Sequence, residues 1–121
     1  MSFESLPASP SQLARYPEEA KNAYQRFRTT ADAEALGILV VAAVRDFMPK
    51  RSLGPQNIQI KDEMRLMEDL GYDSLAVAET VYFFEDLFKV RIENSELMRV
   101  RTVGELRSFV SNKLNITKPS A

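Results

Sequence analysis

Leu36, Leu39, Val40, Ala43, Val44 and Phe47 recur three or four positions apart in one unbroken stretch that ends at Met48-Pro49. That spacing predicts an amphipathic helix whose apolar stripe must be covered by other helices. Thr29, Thr30 and Asp32 are competent N-caps ahead of it, and the proline stops it. A second stripe, Val77, Val81, Phe84 and Phe88, predicts a helix from Ser74 or Leu75 to about Phe88, with Ala76, Glu79, Glu85 and Asp86 mostly off the buried face. A third helix opens on the capping box Thr102-Val103-Gly104-Glu105 and runs through Leu106, Phe109, Val110 and Leu114. Between them Val90 and Ile92 read as inward anchors, and Asn94 to Met98 as a short helix. The expected fold is therefore all-α, a bundle of three long helices and one short one.

Further helical signal precedes the bundle. Residues 1–16 hold Pro7, Pro10 and several serines with little periodicity and read as a flexible lead-in. Pro17, Glu18 and Glu19 then start an additional N-terminal helix, with Ala20, Ala23, Tyr24 and Phe27 on one side, to about Arg28. Its aromatic stripe reads first as a packing face. Residues 49–72, with Pro49, Gly54, Pro55 and Gly71, form a long connection. There Ile58, Ile60, Met64, Leu66, Met67 and Leu70 are expected to fold over the open end of the bundle, with a helical turn near Glu63 to Glu68 rather than strands. The tail beyond Asn115 is expected to fray, and the glycosylation pattern Asn115-Ile116-Thr117 is attributed to chance. The division is a flexible extension with a short helix over 1–31, a helical domain over 32–115 and a disordered tail over 116–121.

Composition removes many functions. With 121 residues, 45% apolar and 27% charged, the chain has the size of one domain. The absence of Cys and His excludes disulfides, Cys/His zinc sites, thiol nucleophiles and Ser-His-Asp triads, and none of the glycines builds a phosphate-binding or calcium loop. An enzyme is not expected, nor a metal site. The net charge of −1 conceals a strongly acidic centre: residues 62–90 hold eight Asp and Glu against Arg65 and Lys89. That centre disfavours nucleic acid, which is bound through Lys and Arg on phosphates, and suits a basic protein partner. No apolar run is long enough to span a membrane, and no secretion or transit signal is readable, so the cytoplasm is the expected compartment.

The segment Glu68-Asp69-Leu70-Gly71-Tyr72-Asp73-Ser74-Leu75 carries the functional signal. A serine at a helix start lies outside the buried stripe, beside backbone N–H groups without helical partners, where an attached phosphate is favoured. Gly71 permits the turn into the helix, Asp73 offers a capping carboxylate, and Leu75 is expected to turn inward and anchor the first turn. On these grounds alone an ordinary serine cap is the better account of Ser74.

Leu70-Gly71-Tyr72-Asp73-Ser74-Leu75 resembles the attachment motif of the acyl carrier protein family, Asp-Ser-Leu after Leu-Gly. The likeness continues through the acidic helix with Glu79, Glu85, Asp86 and Phe88, then Ile92, the short helix and Thr102-Val103, so it covers roughly Asp32 to Leu114. It implies an acyl-carrier-like four-helix bundle with an additional N-terminal helix, the carrier domain being 32–115. It also implies a 4'-phosphopantetheine group, taken from coenzyme A by a phosphopantetheinyl transferase and joined to Ser74, with Asp73 helping that enzyme place Mg²⁺ and coenzyme A. A thiol on the prosthetic group explains how a chain without Cys performs thioester chemistry. By the same resemblance Leu75, Glu79, Tyr82, Glu85 and Asp86 would meet acyl-loading and acyl-processing enzymes with basic docking surfaces, the carrier acting as a monomer that shuttles intermediates of a lipid or secondary-metabolite pathway.

Departures from the family pattern point to a specialised member with an N-terminal extension. Ala76 stands where an acid is frequent, Leu87 interrupts the acidic run, and Arg91, Arg99 and Arg101 make the second half basic. Phe83 and Phe84 are bulky for a helix that lines the acyl cavity in this family, which implies a small or partly exposed cargo. Two alternatives stand beside this reading: an unmodified helical interaction module binding a basic partner, and a peptidyl or aminoacyl carrier with the same chemistry.

Overall fold

A computed structural model of the chain describes residues 3–48 and 59–114. The expectations for Pro49, Gly54, Pro55, Ile58, Asn115-Ile116-Thr117 and the tail 116–121 lie outside the described residues. Five α-helices follow in order: α1 (Glu18–Thr30), α2 (Ala33–Phe47), α3 (Ser74–Phe88), α4 (Asn94–Leu97) and α5 (Val103–Lys113). No strand forms among the described residues, and an isolated bridge joins Arg65 to Thr102.

Helix α2 is central, with α1, α3 and α5 all packed on it. Its composition explains why: Ala35, Leu36, Gly37, Leu39, Val40, Ala43 and Val44 are all buried, an apolar surface too wide for one neighbour to cover. Gly37 lets α5 come close, since a Cβ there would sit 3.1 Å from Cδ of Arg107. At the N-terminus of α2 the Asp32 carboxylate accepts from the Glu34 N–H and holds Arg26 at 2.6 Å. That hydrogen bond from Arg26 keeps the Asp32 carboxyl below the usual carboxylate range. The capping box of α5 forms as expected, with Thr102 Oγ1 accepting from Glu105 N and Glu105 Oε1 accepting from Thr102 N. Helix α1 runs two residues past Arg28, because Ala31 adopts a left-handed conformation (φ 54°) that returns its N–H to the carbonyl of Phe27.

Residues 3–16, expected to be a flexible lead-in, instead lie against the bundle. Phe3 stacks on Phe27 with ring centroids 4.6 Å apart, Leu6 and Leu13 are buried, and Ser11–Leu13 make one turn of 3-10 helix. Backbone groups are tied as well, since Phe3 N–H donates to the Arg28 carbonyl and the Tyr24 hydroxyl to that of Pro7. Two prolines and scattered serines have no period, yet three apolar side chains docked on the bundle suffice to order a short segment.

Candidate functional site

The connection into α3 is held by pegs and backbone bonds rather than by secondary structure. Ile60, Leu66, Leu70 and Tyr72 are buried, as the expected packing requires of the first three, whereas Met67, also expected to pack, stands 53% exposed. Leu66 N–H donates to the Arg101 carbonyl, Val103 N–H to that of Met64 and Gly104 N–H to that of Asp62, so the loop is laced to the start of α5. Gly104 fits this closeness, because a Cβ there would meet Asp62 at 3.1 Å. Gly71 takes φ 76°, the positive value that glycine alone adopts without cost, and turns the chain toward α3.

Tyr72 anchors the end of that turn. Its hydroxyl donates to the Val44 carbonyl at 2.7 Å, and Thr80, itself buried, lies 3.4 Å from the same oxygen while donating to the Ala76 carbonyl. Burial pushes the Tyr72 phenol well above its ordinary range, so it stays protonated and keeps donating. In the sequence this hydroxyl carries no signal beyond an aromatic side chain between Gly71 and Asp73.

Asp73 is the N-cap of α3, its carboxylate accepting from the Ala76 N–H at 2.8 Å. Ser74 is consequently the first residue inside the helix, not its cap, and it is exposed. No acidic residue stands in that first turn. A phosphate on the exposed Ser74 hydroxyl would thus sit by the positive end of a four-turn helix, with the neighbouring carboxylate of Asp73 engaged by the Ala76 N–H, and the site has room and a favourable dipole for such a group.

Leu75 corrects an expectation: it is 65% exposed and anchors nothing. Ala76, expected off the buried face, is buried in its stead, since the helix is rotated to put Ala76, Thr80, Val81, Phe84, Leu87 and Phe88 inward. Outward stand Leu75, Glu79, Tyr82 and Asp86, with Tyr82 61% exposed. Glu85 is half-buried, and its carboxylate accepts from the Ile92 N–H at 2.6 Å. Asp86 accepts a hydrogen bond from the Gln12 side chain. Of the three acids singled out on this helix, Glu79 alone makes no hydrogen bond or ion pair among the described residues. The contact with Gln12, and the stacking of Tyr16 on Phe83 at 5.5 Å, had no local signature in the sequence. Among the described residues no helix is long and apolar enough to cross a membrane.

The chain is similar in sequence and fold to known proteins. A family profile described as "Phosphopantetheine attachment site" matches residues 50–110. The acyl carrier protein of Thermotoga maritima is 37% identical over 62 residues, which cover 51% of this chain and 76% of that protein. That of Exiguobacterium sp. is 37% identical over 62 residues, covering 51% and 78%, and that of Wolinella succinogenes 36% identical over 52 residues, covering 43% and 68%. The crystal structure of acyl carrier protein from Thermotoga maritima superposes with a TM-score of 0.53 at 31% identity, over 66% of this chain and 92% of that one.

Proposed function

This chain belongs to the phosphopantetheine attachment-site family, with the acyl carrier proteins among its relatives, and from that premise we propose that Ser74 bears its 4'-phosphopantetheine group. The observation that carries the reading is the exposed Ser74 hydroxyl at the first helical position, inside the matched segment, with Asp73 holding the cap. When bound, the group supplies the thiol on which acyl intermediates ride as thioesters. The chain's own part is to present that arm and to be recognised: it carries, and other proteins catalyse.

Recognition falls to the outward face of α3. Asp73 borders the serine, Leu75 and Tyr82 offer exposed apolar contacts, and Glu79, Glu85 and Asp86 attract basic docking surfaces on the transferase and on acyl-loading and acyl-processing enzymes. The pathway served is one of lipid or secondary-metabolite synthesis, with a member specialised by its N-terminal extension over 1–31 ahead of the carrier domain 32–115.

The test is intact-protein mass spectrometry after incubation with coenzyme A, Mg²⁺ and a broad-specificity phosphopantetheinyl transferase. One phosphopantetheine is expected on the chain and none on Ser74→Ala. A folded chain that gains no mass beside a carrier that does would leave Ser74 as an ordinary first-turn residue.

A further inference from the structure

The interior beside α3 is filled with aromatic rings that leave one another little freedom. Phe84 is fully buried, stacks on Phe88 at 6.1 Å and meets Phe83 edge-on at 5.4 Å; Phe88 in turn meets Phe27 at 5.2 Å, and Phe27 stacks on Phe3. The N-terminal segment and α1 thus close the ladder from the far side. An acyl chain entering between these rings would force them off their rotamers, which a close-packed core resists.

Outside the ladder the same helix borders an open groove of about 770 Å³. Phe47, Tyr82, Phe83 and Val90 give it an apolar lining, and Glu79, Glu85, Asp86 and Arg91 edge it. Glu79, Tyr82, Phe83 and Asp86 are spaced i, i+3, i+4 and i+7, one continuous strip of α3. The strip begins five residues after Ser74, about 7.5 Å along the axis, and extends for about 10 Å more. Phe83, partly buried, is clamped by Tyr16 stacked at 5.5 Å and Phe47 edge-on at 5.7 Å, while Tyr16 donates to Asp46 and Gln12 holds Asp86. The N-terminal segment therefore fixes one wall of the groove.

We propose that this groove on α3, walled by Phe47, Tyr82, Phe83 and Val90, holds the acyl end of the cargo tethered at Ser74, and that its occupant is a short acyl group uncharged at its far end. The inference rests on Ser74 bearing the arm and goes beyond it by placing the cargo. Tethering carries the argument: an arm on Ser74 presents the acyl group to a neighbouring strip at an effective concentration of about millimolar, so weak apolar contacts with rings already held in place suffice for occupancy. Three carboxylates against one guanidinium disfavour a terminal carboxylate on the cargo. Because the groove shares Glu79, Tyr82 and Asp86 with the docking face, an enzyme landing on α3 displaces the still-tethered acyl group from the groove.

The experiment loads the full chain through the transferase from octanoyl coenzyme A and, separately, from suberyl coenzyme A, which has the same length and ends in a carboxylate. Mass spectrometry first verifies the gain; its absence overturns the carrier reading and this one with it. On the loaded protein, NMR cross-peaks from the octanoyl tail to the Tyr82 and Phe83 rings and the Val90 methyls are expected. They should be lost in the suberyl form and in Tyr82→Ala, whose exposed position leaves the amide spectra of α2 and α5 in place. Octanoyl cross-peaks to Val40, Val81 or Phe84 would place the cargo inside the bundle and overturn the groove while leaving the arm on Ser74. Cross-peaks to neither region, or equal ones from both acyl groups, would overturn it as well.

Discussion

Tyr72 shows how one hydroxyl can tie down a site two residues away. It joins the last turn of the connecting loop to the carbonyl of Val44 on α2, and with Thr80 it forms the polar contact beneath the first turns of α3. Tyr72→Phe keeps the ring and removes the donor, which should lower the unfolding free energy by about 1–2 kcal/mol, the usual result when a buried acceptor loses its partner. Urea unfolding of the two proteins measures it, and equal midpoints would show that the bond contributes nothing. Much of the site was legible at this scale. Asp73 as a cap, Ser74 as an accessible helix-start serine and Gly71 as a turn follow local rules that need no neighbours. The orientation of Leu75 did not follow, because which side of a first turn faces inward depends on how the whole helix is rotated against its neighbours.

At the level of elements, α3 does two jobs with two faces, and the acids on it are not equivalent. Glu85 satisfies the Ile92 N–H and so helps fix the chain leaving the helix, whereas Glu79 stands exposed and uncommitted among the described residues. Sequence periodicity put both acids off the core stripe, correctly, but a stripe says nothing of a backbone N–H folding back from seven residues on. The docking proposal is therefore best tested at Glu79 alone. Glu79→Lys should leave stability within about 0.5 kcal/mol, as for an exposed position, and should slow loading by the transferase several-fold at low ionic strength. Raising the salt should shrink the difference, since steering between exposed charges is screened beyond about 8–10 Å. Equal rates for the two proteins at low salt would remove Glu79 from the docking face. The helices themselves were read nearly to their ends, because α2, α3 and α5 each announce themselves by a stripe and a cap; the α1 end shifted only through the left-handed Ala31.

For the molecule as a whole, the N-terminal segment changes what the domain is. Phe3 stacks on Phe27 of α1, Tyr16 stacks on Phe83 of α3, and Leu6 and Leu13 are buried, so the segment belongs to the same core as the carrier bundle. No periodicity could announce this, since its apolar residues obey neither a helical nor a strand spacing and their partners lie up to some seventy positions away in the chain. Leu13 separates the two views cleanly. In a flexible lead-in its truncation would cost nothing, whereas a leucine this well buried should cost about 2–3 kcal/mol when cut to alanine. The loss should appear in one cooperative urea transition for the full chain, reported alike by Tyr fluorescence and by helical circular dichroism, because the segment and the bundle share one core. A Leu13→Ala midpoint equal to the parent's would detach the segment from the fold, and with it the wall that Tyr16 lends to the face of α3.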